Sequence, residues 1–304
     1  MPEVVCFGNA TIDVFVHLAE EHLQKGKLCL LPDSKIEADN IFFATGGSAT
    51  NTAVGFSRLG LKTGIVCAVG ADENAKKIVS ELQKEKVDCT AIVKMKNYNT
   101  AYSVILTGFG ADRIILAFAG ATRHLESEKQ VNWGFVEKAE WFYVGSLHSK
   151  PKLLEKIFGF AGKNAVLVAW NPGRSELKQG LKKLAPLLKK TTVLFLNKAE
   201  TEFLLKSKNL KENLKKLQKI VPLVVVTLGK NGSIAFDGKK FFFQKAHNVK
   251  VVDSTGCGDS FNSAFLAAII RGYGIKYALV LGTENAESTI RFLGAKNNLM
   301  RKKI

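Results

Sequence analysis

Strand-like and helix-like segments alternate along most of this chain, and that rhythm limits the fold more than any other feature of the sequence. Residues 3–7 read as an opening strand, followed by a turn over residues 8–13. Residues 49–59 read as a helix, 63–69 as a strand and 73–86 as a helix. The scheme then repeats, with strand 141–144 before helix 151–161 and strand 165–169 before helix 176–189. Strand 192–196 precedes helices 199–205 and 211–220. Residues 224–226 are Val-Val-Val, a short, wholly apolar strand of the kind that helices cover on both faces. This alternation predicts an α/β fold, doubly wound, with a mostly parallel sheet flanked by helices. Two patches depart from it. Residues 100–107 and 113–118 are rich in β formers and flank residues 108–110, and residues 233–236 and 241–243 flank Asp237-Gly238; both are hairpin signals. Segments 10–45 and 90–120 therefore read as β insertions on the main sheet, either a small β lid or an edge extension. No Pro/Gly/Ser-rich linker divides the chain, so a single domain over residues 1–304 is expected.

The 304 residues are 46% apolar and 23% charged, which supports a substantial core without a disulfide or metal staple. The longest apolar stretches, such as residues 264–270, fall far short of the roughly 20 residues that cross a bilayer. The opening residues lack the basic start and long apolar run of a signal peptide. Cys6, Cys29, Cys67, Cys89 and Cys257 are scattered and form no CxxC pair, as expected for free thiols in a reducing cytoplasm. The charge is less ordinary: 44 Lys+Arg against 27 Asp+Glu leaves +17, which raises nucleic acid as a partner. Its distribution argues for an enzyme with Lys-rich surfaces instead. Lys76-Lys77, Lys182-Lys183, Lys189-Lys190 and Lys215-Lys216 fall on the wet faces of helix-like segments, and no five basic residues run together.

Two glycine-bearing segments carry the chemistry. Asp253-Ser254-Thr255-Gly256-Cys257-Gly258-Asp259 follows a strand-like run at 248–252 and opens an apolar helix over 261–270. Glycines there permit a tight turn, and successive N–H groups at a helix start make an anion hole. A carboxylate at Asp259 stands beside whatever anion the loop cradles, ready to accept the proton of an attacking hydroxyl. A glycine turn with Asp as a helix cap would give the same string. Thr45-Gly46-Gly47-Ser48-Ala49-Thr50-Asn51 also precedes a helix. Adjacent glycines let a ligand lie against the backbone, and the Asn51 amide offers a hydroxyl both a donor and an acceptor.

Together these segments resemble the ribokinase-like (PfkB) family of carbohydrate and nucleoside kinases. The likeness covers nearly the whole chain, because further landmarks follow in order: Asn197-Lys198-Ala199-Glu200 is similar to the family's N-x-x-E element, and Thr227-Leu228-Gly229-Lys230-Asn231-Gly232 to its T-x-G-x-x-G element. The resemblance implies transfer of the ATP γ-phosphate to a hydroxymethyl group of a small sugar, or alternatively of a nucleoside. Asp259 would be the catalytic base, and Gly256, Cys257 and Gly258 would supply the anion hole. Asp13, Gly46, Gly47 and Asn51 would hold the acceptor. Thr227, Gly229 and Gly232 would line the nucleotide site, with Asn285 against the adenine. Asn197 and Glu200 would organise phosphate and Mg2+, Glu200 through water. Many relatives also bind a monovalent cation such as K+ near Asp253 and Thr255. Relatives are often homodimers joined through lid strands. A non-catalytic nucleic-acid or regulatory binding protein is the more distant alternative; retention of Asp259 and the anion-hole glycines argues against it.

Cys257 stands where the family usually has Ala or Gly, which puts a thiol open to oxidation in the anion loop. Asp72, in a Gly70-Ala71-Asp72 turn, is expected to be structural. Arg113 and the Phe42-Phe43 pair reach the site if the insertions form a lid. For a nucleoside, an aromatic wall at Phe42, Phe43 or Phe118 would hold the base. His148 and Arg174 follow strands; each could contact substrate or phosphate, but a surface, packing or turn role is the plainer reading.

Overall fold

The computed structural model describes residues 1–24, 27–109, 112–148 and 150–304. An eight-stranded sheet forms its centre. Across it run strands Phe241–Gln244, Ser233–Phe236, Leu223–Thr227, Val193–Asn197, Leu167–Trp170, Trp141–Val144, Val4–Phe7 and Thr63–Val66. The last six are mutually parallel, and the Ser233–Phe236 hairpin adds the two antiparallel strands at one edge. Side chains alternate between faces along each strand, so Val5, Phe7, Phe142 and Val168 join one core while Val4, Cys6, Tyr143 and Phe195 join the other. Helices close both sides. Pro151–Lys163 packs its buried Leu154, Ile157 and Phe158 into the first core, and Cys257–Ile270 buries Phe261 and residues 264–268 in the second. A parallel sheet covered in this way needs apolar strands throughout, which is why Val4–Phe7 is buried at every position.

A second, four-stranded sheet is built from the two insertions, in the order Asp112–Phe118, Ala101–Phe109, Thr11–His17 and Asn40–Gly46. It contains both β-rich runs, with the connecting turn at Gly110 lying outside the described residues. The start of the second insertion belongs elsewhere: Val93–Met95 pairs in parallel with Ala68–Gly70. Four further expectations need correcting. Asp13 lies inside strand Thr11–His17, paired with Ala44 and Ser103, and not in a turn. The strand expected over 63–69 ends at Val66, and Ala68–Gly70 leaves the main sheet. The helix expected over 176–189 is two helices, Arg174–Leu177 and Leu181–Leu188, separated at Gly180, whose φ of 79° suits glycine. Residues 248–252 form no strand; the Val252 and Asp253 N–H groups donate instead to the Ile290 carbonyl at the end of helix Ile275–Thr289. Asp72 is structural, as expected: it caps helix Glu73–Lys84 and accepts from the Thr100 N–H and hydroxyl.

Candidate active site

The two glycine segments open helices Ser48–Arg58 and Cys257–Ile270, which pack against each other. Register pairs Thr11 with Gly46, which brings the Asp13 strand and the glycine turn side by side. A side chain on Gly46 would run into the Asp13 carboxylate, and one on Gly47 into the Asn9 carbonyl. Both glycines are therefore required by close approach, and Gly47 also by a φ of 99°. Helix Ser48–Arg58 starts immediately afterwards, and its Asn51 reaches across to the second motif. Asn51 Nδ2 donates to Asp259 Oδ2 at 2.8 Å. The other amide atom, Oδ1, is buried without a partner among the described residues. An acceptor hydroxyl could donate to it.

Asp259 lies in the first turn of helix Cys257–Ile270, whose N-cap Gly256 is left-handed at φ 76°. A side chain at Gly256 would strike Ala295, whereas one at Gly258 would meet nothing within 4 Å. The loop is thus pinned behind and open in front. The first-turn N–H groups have no intrahelical acceptors and carry the positive end of the helix dipole. Burial raises the Asp259 carboxyl to about 6, against the opposing pulls of the Asn51 amide and the Lys296 charge. Burial likewise pushes the Cys257 thiol up to about 12. A raised thiol pKa disfavours the thiolate, the form that oxidises most readily.

A cavity of about 830 Å³ opens beside the loop, lined by Cys257, Gly258, Thr227, Gly229 and Gly232. Asn197 pairs in register with Thr227, so both stand at the carboxyl edge of the sheet, where α/β folds bind ligands. Asn197 and Glu200 form a reciprocal capping box: Asn197 Oδ1 accepts from the Glu200 N–H, and Glu200 Oε2 from the Asn197 N–H, each at 2.8 Å. The far wall includes residues 246–249 and 251. Glu287 fastens this segment through the His247 N–H at 2.6 Å and Nδ1 at 2.9 Å.

Residues 1–302 match the model of the pfkB family carbohydrate kinases. The chain belongs to that family. A Methanocaldococcus jannaschii nucleoside kinase is 25% identical over 301 residues, covering 98% of this chain and 94% of its own. The crystal structure of the nucleoside kinase from that organism has a TM-score of 0.82 at 24% identity, covering 99% of this chain and 95% of its own. Arabidopsis thaliana ribokinase, solved with ribose and ATP, also gives 0.82, at 23% identity over 98% of this chain and 96% of its own. This pfkB-family kinase is accordingly a phosphotransferase acting on an alcohol group of the sugar or nucleoside class, and its family uses ATP.

Within this pfkB-family protein, Asn285 is engaged inside the fold. Asn285 is 1% exposed, donates to the Ser260 carbonyl at 2.8 Å and accepts from the Met300 N–H at 2.9 Å. Its amide ties two helices and the carboxy-terminal segment together, and the residue is not among those that line the cavity. Its neighbours Thr283, Ala286 and Glu287 line the cavity instead. His148 and Arg174 are exposed, and neither lines the cavity. Arg113 does reach across from the second sheet: Nη1 donates to Ser254 Oγ and stands 3.6 Å from Asp253. Asp253 already accepts from Thr255 N and Oγ1 and from Gly294 N. With that guanidinium beside it, its charge is met within the chain, and the monovalent cation implied by the resemblance finds no unpartnered anion at Asp253.

Sequence reasoning missed Lys296. It is 6% exposed, and its Nζ donates to the Thr45 carbonyl at 2.6 Å and to Thr50 Oγ1 at 3.4 Å, with Glu81 Oε1 at 3.3 Å. Nothing in Gly294-Ala295-Lys296-Asn297 distinguishes it from the many surface lysines.

Proposed function

We propose that this kinase transfers the γ-phosphate of ATP to a hydroxymethyl group of a small sugar, with Asp259 as general base. The observation that carries the reading is the Asn51–Asp259 hydrogen bond, which joins the acceptor turn to the anion loop around a carboxyl raised to about 6. Such a base is ionised at neutral pH yet basic enough to take a proton as the acceptor oxygen attacks. Asp13 and Asn51 Oδ1 hold acceptor hydroxyls beside it. The N–H groups at 256–258 stabilise charge developing on the transferred phosphoryl group. Thr227, Gly229 and Gly232 hold the nucleotide.

The donor set suits Mg2+. Glu200 Oε2 is spent on the capping box and Oε1 has no partner among the described residues. No cluster of three or more His, Cys, Asp or Glu side chains among those residues could hold a metal. An ion arriving with the nucleotide and touching one carboxylate through water fits that arrangement. When bound, Mg2+ neutralises charge on the phosphate oxygens.

The second sheet, tied to the anion loop by Arg113, acts as the lid that excludes water. Its outward face exposes Phe43, Leu116 and Phe118, an apolar row that suits pairing with a second copy of this chain.

A nucleoside acceptor is the second reading, and one observation favours it. Phe42 pairs with Phe15, their ring centroids 6.0 Å apart, and both share the Asp13 face of the sheet. Phe43 and Phe118 lie on the other face, so only Phe42 of the three aromatic candidates is placed to hold a base. A coupled ADP-release screen over ribose, fructose, other sugars and common nucleosides is expected to give turnover with at least one acceptor bearing a primary hydroxyl. Silence across the set would overturn the kinase assignment. For the productive acceptor, kcat/KM should fall about tenfold per pH unit below about 6, because protonated Asp259 cannot accept the hydroxyl proton. A profile flat from pH 5 to 7 would exclude Asp259 as the base.

A further inference from the structure

The acceptor site holds two carboxylates, Asp13 and Asp259, in a buried setting. Asp259 is argued above to work ionised, and burial opposes that ionisation. The chain answers with a buried cation the mechanism has not used. Lys296 lies on the segment following helix Ile275–Thr289, and its ammonium is enclosed beneath the acceptor turn.

Among the described residues, the groups facing it come from several elements. From strand Asn40–Gly46 comes the Thr45 carbonyl at 2.6 Å, and from helix Ser48–Arg58 the Thr50 hydroxyl at 3.4 Å. From helix Glu73–Lys84 comes the Glu81 carboxylate at 3.3 Å. Glu81 also grips the same turn, its Oε2 accepting from Thr45 Oγ1 at 2.7 Å. Thr50 Oγ1 in turn donates to the carbonyls of Gly46 at 2.6 Å and Gly47 at 3.0 Å. Arg58 donates to the Lys296 carbonyl at 2.8 Å, fixing its backbone. The charges of Asp13, Asp259 and Arg58 lie within electrostatic reach: Lys296 pulls the Asp259 carboxyl down, Asp13 favours the charged ammonium and Arg58 opposes it. An isolated solvated lysine would not be buried to this degree. This one is oriented by a carbonyl, a hydroxyl and a carboxylate, all belonging to or gripping the acceptor turn.

We infer that Lys296 is a positioning residue for phosphoryl transfer, holding the turn at 45–47 in its acceptor-binding shape and supplying a fixed positive charge within electrostatic reach of the base Asp259. This rests on the reading of Asp259 as the base. Burial disfavours the ammonium, Glu81 and Asp13 favour it, and Lys296 in turn favours the ionised form of Asp259. The same side chain thus couples turn geometry to the protonation of the base.

The test compares the full chain with Lys296→Met, Lys296→Arg and Lys296→Gln. It uses ATP and whichever of ribose, fructose or adenosine turns over. Lys296→Met should move the acidic limb of kcat/KM upward by about half to one pH unit and raise the acceptor KM about tenfold or more, with the ATP KM within about twofold of wild type. Lys296→Arg retains a cation and should leave the limb in place while raising the acceptor KM. A lysine with a merely structural role would lower the melting temperature in both variants and leave the limb still. Should Lys296→Met fail to fold, Lys296→Gln decides: its amide can still donate to the Thr45 carbonyl but carries no charge, so the limb should move up, and a limb that stays or falls overturns the inference. A folded Lys296→Met with wild-type limb and acceptor KM overturns it equally. Asp259→Asn separates the two levels. If that variant turns over normally, the base assignment has failed; if it is inactive while the limb of Lys296→Met does not move, only the role of Lys296 has failed.

Discussion

Replacing Asp259 with Asn is expected to lower kcat by about 10³–10⁴-fold while leaving ATP binding within a few-fold of wild type. The amide keeps the volume of the carboxyl and can still accept the 2.8 Å hydrogen bond from Asn51, so the anion loop and its N–H groups stay in place. What is lost is the lone pair that takes the acceptor proton. Steady-state kinetics and calorimetric titration with ATP check both halves, and a kcat within tenfold of wild type would remove Asp259 from the mechanism.

The same substitution should stabilise the fold at neutral pH. Burial raises the Asp259 carboxyl from 3.8 to about 6, so between those values the folded state holds a proton that the unfolded chain releases. The favourable contribution of the protonated group is fully present below about 4 and is lost as pH rises through about 6. At pH 7.5 the ionised, enclosed carboxylate costs about 1–3 kcal/mol, and the neutral amide of the Asp259→Asn variant would not carry that cost. Thermal melts should therefore show the variant a few degrees above wild type at pH 7.5, with the gap closing toward pH 4. A base kept at some expense of stability is a familiar feature of functional sites.

Local chemistry explains which parts of this architecture could be read from the chain alone. Strands such as Trp141–Val144 are apolar on both faces, and helix starts such as Gly256-Cys257-Gly258 need glycine for a left-handed turn; both signatures are written in consecutive residues. Pairing partners are not. Residues 248–252 alternate like a strand, yet their neighbour is the end of a helix, so the hydrogen bonds go to Ile290. Asp13 reads as turn because Gly8 and Asn9 precede it, while its strand exists through Ala44 and Ser103, residues about 30 and 90 positions away. Asn285 looked like a ligand residue by its place in the order of motifs. Its burial depends on Met300 and Ser260 converging from other segments. Lys296 is the extreme case: a lysine in a lysine-rich chain, distinguished only by the carbonyl, hydroxyl and carboxylate that tertiary packing brings around it.

Gly46→Ala, a one-carbon change, should raise the acceptor KM by about 10–100-fold and spare the ATP KM. No positive φ is involved at Gly46, so the backbone tolerates alanine; the conflict is with a neighbour. The new Cβ would collide with Asp13 Oδ2 and lie 2.7 Å from Asp13 Cγ, and the carboxylate must swing away from the acceptor hydroxyls or push the turn off strand Thr11–His17. Losing a charge-assisted hydrogen bond costs about 1.5–3 kcal/mol, which sets the range of the KM change. A double-mutant cycle distinguishes this cause from general damage. In Asp13→Ala the acceptor KM should rise by a similar factor, and adding Gly46→Ala to it should cost little more, because the atom that clashed is gone. Melting temperatures should follow the same pattern, lowered in Gly46→Ala and partly restored in the double variant. Strictly additive effects, or an acceptor KM within twofold of wild type in Gly46→Ala, would mean that Asp13 does not bind the acceptor from the position it holds against the glycine turn.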